Sequence, residues 1–284
     1  MPERPDLEYA VKVLRKEVVG LGIAGVRVKK PVVLRVAVPG KIDELLVGRT
    51  IGSVKRMSHF VLFALGDLEI AVSPMLAGRF ALAQPSGKQP ADLALALDLS
   101  DGSSLQYRDD VQMGKVYVIR AGTRAEVPGL GKIGLDALDP RRFTREAFRA
   151  LAARRRDQVK VFLMDKAAID SMGNAYADEV LWEARIHPKA MVRSLGPEQI
   201  DSLHDAIVKV LGEARDEIAR RAPPIEEKVR DFLAVRGRHG EPCRRCGTKI
   251  RSAGVHGHDA DMCPTCQPDH RGKGIVDWRK LKPS

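Results

Sequence analysis

"PCRRCGTKIRSAGVHGHDADMCPTCQ", residues 242–267, carries all four cysteines of the chain in two C-x-x-C pairs, Cys243 with Cys246 and Cys263 with Cys266, sixteen residues apart. Each C-x-x-C turn aims two thiolates at one point, and this spacing closes a tetrahedral site. The residues between the pairs read as a hairpin too small to hold itself together, so a metal supplies its core. Four sulfurs leave no open position, which predicts one structural Zn2+ rather than a catalytic ion or redox disulfides. His256 and His258 then fall at the hairpin tip, outside a ligand set that is already complete.

The chain that bears this clamp has 284 residues, enough for about two domains, and a formal charge of +11 with pI near 9.6. Eleven Lys/Arg face five Asp/Glu between Arg236 and Ser284, so the excess is concentrated around the clamp. Such a balance predicts a polyanion partner, for which lysine and arginine supply salt-sensitive backbone contacts. No apolar run is long enough to span a bilayer, and the N-terminus lacks an apolar signal segment. Cysteines paired for metal rather than for disulfides agree with a reducing, cytoplasmic location.

Working back along the chain, "PDLEYAVKVLRKEVVG" places Leu7, Val11, Leu14 and Val18 on one face of an N-terminal helix. From Gly22 to Arg120 the apolar residues come in short alternating or β-branched runs, with "SDG" at 100–102 as a hairpin signal, and this predicts a β-sandwich. A Gly- and Pro-rich stretch without periodicity follows, read as a linker. The remaining apolar runs, including "PPIEEKVRDFLAVR" from Pro223, have helical character. The expected organisation is α+β and bilobal: a sandwich domain over 1–122, a linker over 123–142, a helical domain over 143–235, a zinc finger over 236–270 and a basic tail over 271–284.

At the N-terminus, "MPERPDLE" predicts loss of Met1 and a free secondary amine on Pro2, a nitrogen nucleophile able to attack a sugar carbon and form an iminium. With "FLMDKAAIDSMGNAYADEVLWEARIHP" (162–188) and the two cysteine pairs, the chain resembles the formamidopyrimidine-DNA glycosylase and endonuclease VIII family over nearly its whole length. The middle stretch is similar to that family's helix, two turns, helix motif. The resemblance implies a DNA glycosylase with abasic-site lyase activity that binds double-stranded DNA in the cleft between its lobes, flips out a damaged nucleotide and acts as a monomer. It implies Pro2 as nucleophile, Glu3 as general acid and base, Asp6 as a shortened counterpart of a family glutamate, and Asn174 as a phosphate contact. The residues themselves also allow plainer roles: Asp6 as a first-turn helix charge and Asn174 as a helix cap.

Several positions depart from the family pattern. His59 stands where the family has a lysine, His258 where it has an arginine on the zinc hairpin, and Leu76, next to Met75, where it has a methionine wedge. Val111, Gln112 and Met113 occupy the region of its arginine and phenylalanine. Histidine, with an ordinary pKa of about 6.5, would carry the missing charge only in acid. Lesion choice is therefore expected to differ from the family's oxidised purines. A DNA-binding protein of the same fold without catalysis is the alternative, and RNA binding through the hairpin a third.

Overall fold

The computed structural model describes residues 2–84, 89–170 and 172–269. Met1 and the basic tail at 271–284 lie outside the described residues. The chain forms two compact units, neither continuous in sequence. The first draws its residues from Met1–Asp136, Lys166–Gly173 and Leu211–Val229; the second from Ala137–Asp165, Asn174–Val210 and Arg230–Ser284. These do not follow the linear segments expected above, because the stretch read as a linker, as far as Asp136, and two later pieces pack with the sandwich.

In the first unit, α1 (Arg4–Val18) buries Leu7, Val11, Leu14 and Val18, the stripe its periodicity predicts. Pro5 in its first turn fits a position where the missing amide hydrogen costs nothing. The sandwich follows as β1 (Ile23–Val28), β2 (Leu34–Val36), a short α2 (Ile42–Leu46), β3 (Ser53–Met57), β4 (Phe60–Leu65), β5 (Leu68–Ser73), β6 (Arg79–Ala83), β7 (Leu93–Leu99), β8 (Ser104–Arg108) and β9 (Lys115–Arg120). Five strands run in the order β2-β9-β5-β4-β3 and four in the order β1-β7-β8-β6. Their inner faces, with Val61, Phe63, Ile70 and Val118 from one sheet and Leu95, Leu97 and Leu105 from the other, share one core with α1. The "SDG" turn joins β7 to β8 with Gly102 at φ 83, a left-handed conformation that favours glycine.

The outer face of β4 is covered too. Phe60, Leu62, Ala71 and Ile119 pack under Val127 and Leu130, which lie in the stretch read as a linker. Burial on both faces explains why β4 is an unbroken apolar run rather than an alternating one.

The second unit carries α3 (Arg145–Ala152), α4 (Val159–Met164) and α5 (Asn174–Glu183), then the zinc hairpin strands β10 (Arg251–Val255) and β11 (His258–Met262). Helix α6 (Pro197–Arg221) contributes residues to both units. His256 and Gly257, both at positive φ, make the two-residue turn that right-handed strand twist favours between β10 and β11. "PPIEEKVRDFLAVR" is not helical, contrary to its periodicity. Two prolines remove amide donors, Ala222 before them sits at φ 47, and the amides of Ala234, Val235 and Arg236 donate to the Glu179 carboxylate instead of to a helix. Among the described residues no helix is long and apolar enough to cross a membrane.

Candidate active site

Pro2 and Glu3 sit at the mouth of α1, both buried, Glu3 with 4 % of its surface exposed. Glu3 is the helix N-cap. Its backbone N–H donates to Asp6 Oδ2 at 2.8 Å, so Asp6 spends one oxygen closing the capping box. The Glu3 carboxylate accepts from the Gly173 amide at 2.9 Å. A β-carbon on residue 173 would lie 2.6 Å from Glu3 Cδ, so only glycine lets the chain approach this closely. Pro2 and Asp6 also line a cavity with Tyr9, Arg79 and Phe80 and with the segment Ile225–Val229.

The loop that carries Gly173 is tied down by buried charge. Arg56 donates to Asp170 at 2.6 Å and to Asp136 at 3.2 Å, and Asp136 also pairs with Arg4 at 2.9 Å. Two carboxylates thus lock α1, β3 and the loop together around Glu3. Sequence patterns gave no sign of this cluster, because its members are scattered over more than 160 positions. Lys166 was missed as well. Burial holds its ammonium below the usual lysine range, with the Glu3 carboxylate acting the other way. Its one sequence signal is that it is the single Lys or Arg between Lys160 and Arg185.

His59 does not behave as its position in the pattern implies. It follows Ser58, at φ 53, in the tight turn between β3 and β4, and its ring folds back to 4.4 Å from the Phe60 ring. Gly129 lies over it, so close that an added β-carbon would stand 3.3 Å from His59 Cε1. Only 9 % of the residue is exposed. Burial, reinforced by Lys166 and opposed by Asp170, lowers its pKa to about 4. A neutral, covered ring does not supply the cation the family has here, which argues against the acid-driven phosphate contact expected at His59.

The other positions are presented outward. Leu76 is 53 % exposed after Met75, whose φ is 49. Val111 and Met113 are exposed around Gln112, whose φ is 59. The buried Asp109 carboxylate accepts from the amides of Gln112 and Gly114, which fixes that loop. His258 is exposed beside the hairpin turn. Asn174 begins α5, and its Oδ1 is buried without a hydrogen-bond partner, so it does not cap the helix as its position allows.

The four cysteine sulfurs lie within 4.8 Å of one another. Sγ–Sγ separations include 3.4 Å for Cys246 to Cys263 and 4.0 Å for Cys243 to Cys266. Tetrahedral zinc at about 2.3 Å from each sulfur requires about 3.8 Å between sulfurs. Burial and the neighbouring sulfurs push the Cys266 thiol up to about 12, so the cluster needs a cation before all four can be thiolates. The residues therefore fit one structural zinc. Trp182 Nε1–H donates to Cys243 Sγ at 3.4 Å, and Arg245 lies 4.0 Å over the same indole while bonding Glu183. Beside it Lys160 and Asp178, both fully buried, pair with each other. The Lys160 ammonium also donates to the Asp259 carbonyl, and Asp178 accepts from the Asp261 amide, which joins α4 and α5 to β11.

Residues 1–116 match the formamidopyrimidine-DNA glycosylase N-terminal domain, 133–220 its H2TH domain and 240–268 the zinc finger found in FPG and IleRS. The formamidopyrimidine-DNA glycosylase of Cytobacillus firmus is 31 % identical over 94 % of this chain and 100 % of its own length. The chain belongs to the formamidopyrimidine-DNA glycosylase family. A second family member, from Symbiobacterium thermophilum, is 32 % identical over 98 % of this chain and 93 % of its own. Among solved structures of the family, the Lactococcus lactis enzyme in complex with abasic-site DNA superposes with a TM-score of 0.84 at 25 % identity, covering 94 % of this chain and 100 % of that one. The same enzyme with DNA containing an oxidised pyrimidine gives 0.85 at 28 % identity, with the same coverage.

Proposed function

We propose that this family member is a base-excision-repair DNA glycosylase with abasic-site lyase activity, acting on double-stranded DNA through Pro2, with a lesion range shifted from the family's usual one. The observation that carries the reading is the pairing of a buried Pro2 with a buried Glu3 whose carboxylate the Gly173 amide holds in place. Once Met1 is removed, the Pro2 nitrogen attacks C1′ of the damaged nucleotide. The bond from C1′ to the base breaks, and the base leaves with the electron pair and a proton. The sugar ring opens to an iminium on Pro2. Loss of a C2′ proton then expels the 3′ phosphate, and a second elimination expels the 5′ phosphate. Glu3 is the group positioned to carry protons to and from the sugar in these steps.

The shifted range rests on five positions. His59 is neutral and covered, so one family cation is lost from this place; His258, exposed on the hairpin, is a weaker phosphate contact than an arginine. Leu76 and the pair Val111 and Met113 offer apolar tips to enter a base stack in place of the family's set. Asn174, at the start of α5, carries a side-chain Nδ2–H2 that can donate to a phosphate oxygen.

The test is a panel of duplexes carrying oxidised purines, formamidopyrimidines, oxidised pyrimidines or an abasic site, scored for strand cleavage. Cleavage at the abasic site and at a subset of damaged bases is expected. Tight binding with no cleavage of any duplex would replace this reading with a DNA-binding protein that has lost catalysis.

A further inference from the structure

Helix α1 carries a second stripe, a quarter turn from its core face: Arg4, Glu8, Lys12 and Arg15, spaced at about one helical turn each. This stripe faces a cavity of about 480 Å³, completed by Tyr9, by Arg56 of β3 and by Arg215 and Asp216 of α6, all within the first unit. That volume lies in the range of small-ligand sites, roughly 300 to 1,000 Å³. The nucleophile Pro2 is not in its wall.

Five cations line it against two carboxylates, each of which stands next to an arginine, although Glu8 Oε2 is buried without a hydrogen bond. Glu8 Oε2 stands 3.4 Å from Arg4 Nη2, and Asp216 Oδ1 accepts from Arg215 Nε at 2.8 Å. Of the cations, Arg56 is held by Asp170 and Asp136, Arg4 pairs with Asp136 and Arg215 with Asp216, which leaves Lys12 and Arg15 the least engaged. Lys12 has no hydrogen-bond or ion-pair partner among the described residues. Arg15 bonds through Nε alone, to the Val54 carbonyl. At the floor, the Arg4 side chain is 6 % exposed, yet its Nε and Nη1 have no acceptor. Three of the five N–H donors of this buried guanidinium are thus unsatisfied, and an anion in the cavity would favour its positive charge.

We propose that this cavity binds a phosphate-bearing anion, with Lys12, Arg15 and Arg215 gripping it at the mouth and Arg4 supplying positive potential from the floor. Phosphate suits the donors, since arginine forks and a lysine point charge together match a multiply charged oxyanion. The volume admits two linked phosphate groups. Such groups come either as a free diphosphate or as neighbouring phosphates of a nucleic-acid backbone, and the chemistry of the site is the same for both.

The experiment uses the full zinc-loaded chain and inorganic pyrophosphate, titrated calorimetrically at low and moderate salt. One saturable site is expected, weakening as salt rises, and the double variant Lys12→Ala, Arg215→Ala should weaken it at least tenfold while melting at an unchanged temperature. Absence of saturable binding by the native chain, or equal binding by the variant, overturns the proposal. A parallel salt titration of duplex binding identifies the source. If the backbone occupies the cavity, the variant loses about 0.9 of log–log slope for each phosphate released; if a free diphosphate does, the duplex slopes coincide while pyrophosphate binding still differs.

Discussion

The covered ring of His59 makes a quantitative claim about acid. Its folded pKa of about 4 stands well below the ordinary value of 6.5. As pH falls through about 6.5, the unfolded chain takes up a proton there that the folded chain refuses, so stability contributed at neutral pH is lost between about pH 6.5 and 4 and the loss levels off below. At about 1.36 kcal/mol per unit, a gap of about two and a half units is worth about 3 kcal/mol. The ring is buried, so solvent screening removes little of this. His59→Phe keeps an apolar ring against Phe60 and removes the titration. Amide hydrogen exchange in β4 and β5, corrected for intrinsic rates, should show the native sandwich losing about 3 kcal/mol more than the variant between pH 7 and 4. Proton NMR of the imidazole should show a midpoint near 4. Parallel losses in the two proteins, or a midpoint near 6.5, would refute the buried, neutral ring and restore His59 as a candidate phosphate contact.

Other parts of the account are as exposed to measurement. Gly173→Ala drives a methyl into Glu3, so single-turnover base removal should slow at least tenfold with DNA affinity little changed; a native rate would mean that the loop does not position Glu3. Asp178→Asn leaves Lys160 charged and buried with a weaker partner, at a cost of about 3 to 5 kcal/mol, read as a lower melting temperature and faster exchange in β10 and β11. Chelation or Cys263→Ser should release about one equivalent of zinc, loosen the hairpin and sharply weaken DNA binding, and unchanged binding without zinc would sever hairpin from function.

How much of this was written in the sequence depends on the range of the forces involved. Leu7, Val11, Leu14 and Val18 announced α1 because helical spacing and burial coincide, and four cysteines announced the zinc site because the metal's geometry is carried by local spacing. Where periodicity met a competitor it misled. The stretch from Pro223 has a helical apolar pattern, but a distant carboxylate, Glu179, claims its later amides. The segment carrying Gly129 and Leu130 looked like a linker for want of periodicity, yet it roofs β4 and buries His59. Alignment with a family pattern told which residue type had changed at position 59. It did not tell that the replacement had been withdrawn from solvent. Likewise Asp6 reads equally well as catalyst and as first-turn helix charge, and the bond it accepts from the Glu3 amide gives it one definite task without excluding the other.

The central claim is covalent chemistry at Pro2, and the most direct measurement is peptide mapping of the adduct formed when borohydride is added to the native chain on an abasic-site duplex. The sugar fragment should be found on the nitrogen of an N-terminal peptide that begins at Pro2, and Pro2→Gly should lose most of the trapped species. An adduct mapped to Lys166 or another amine, or no adduct at all on a duplex that the protein binds, would contradict it.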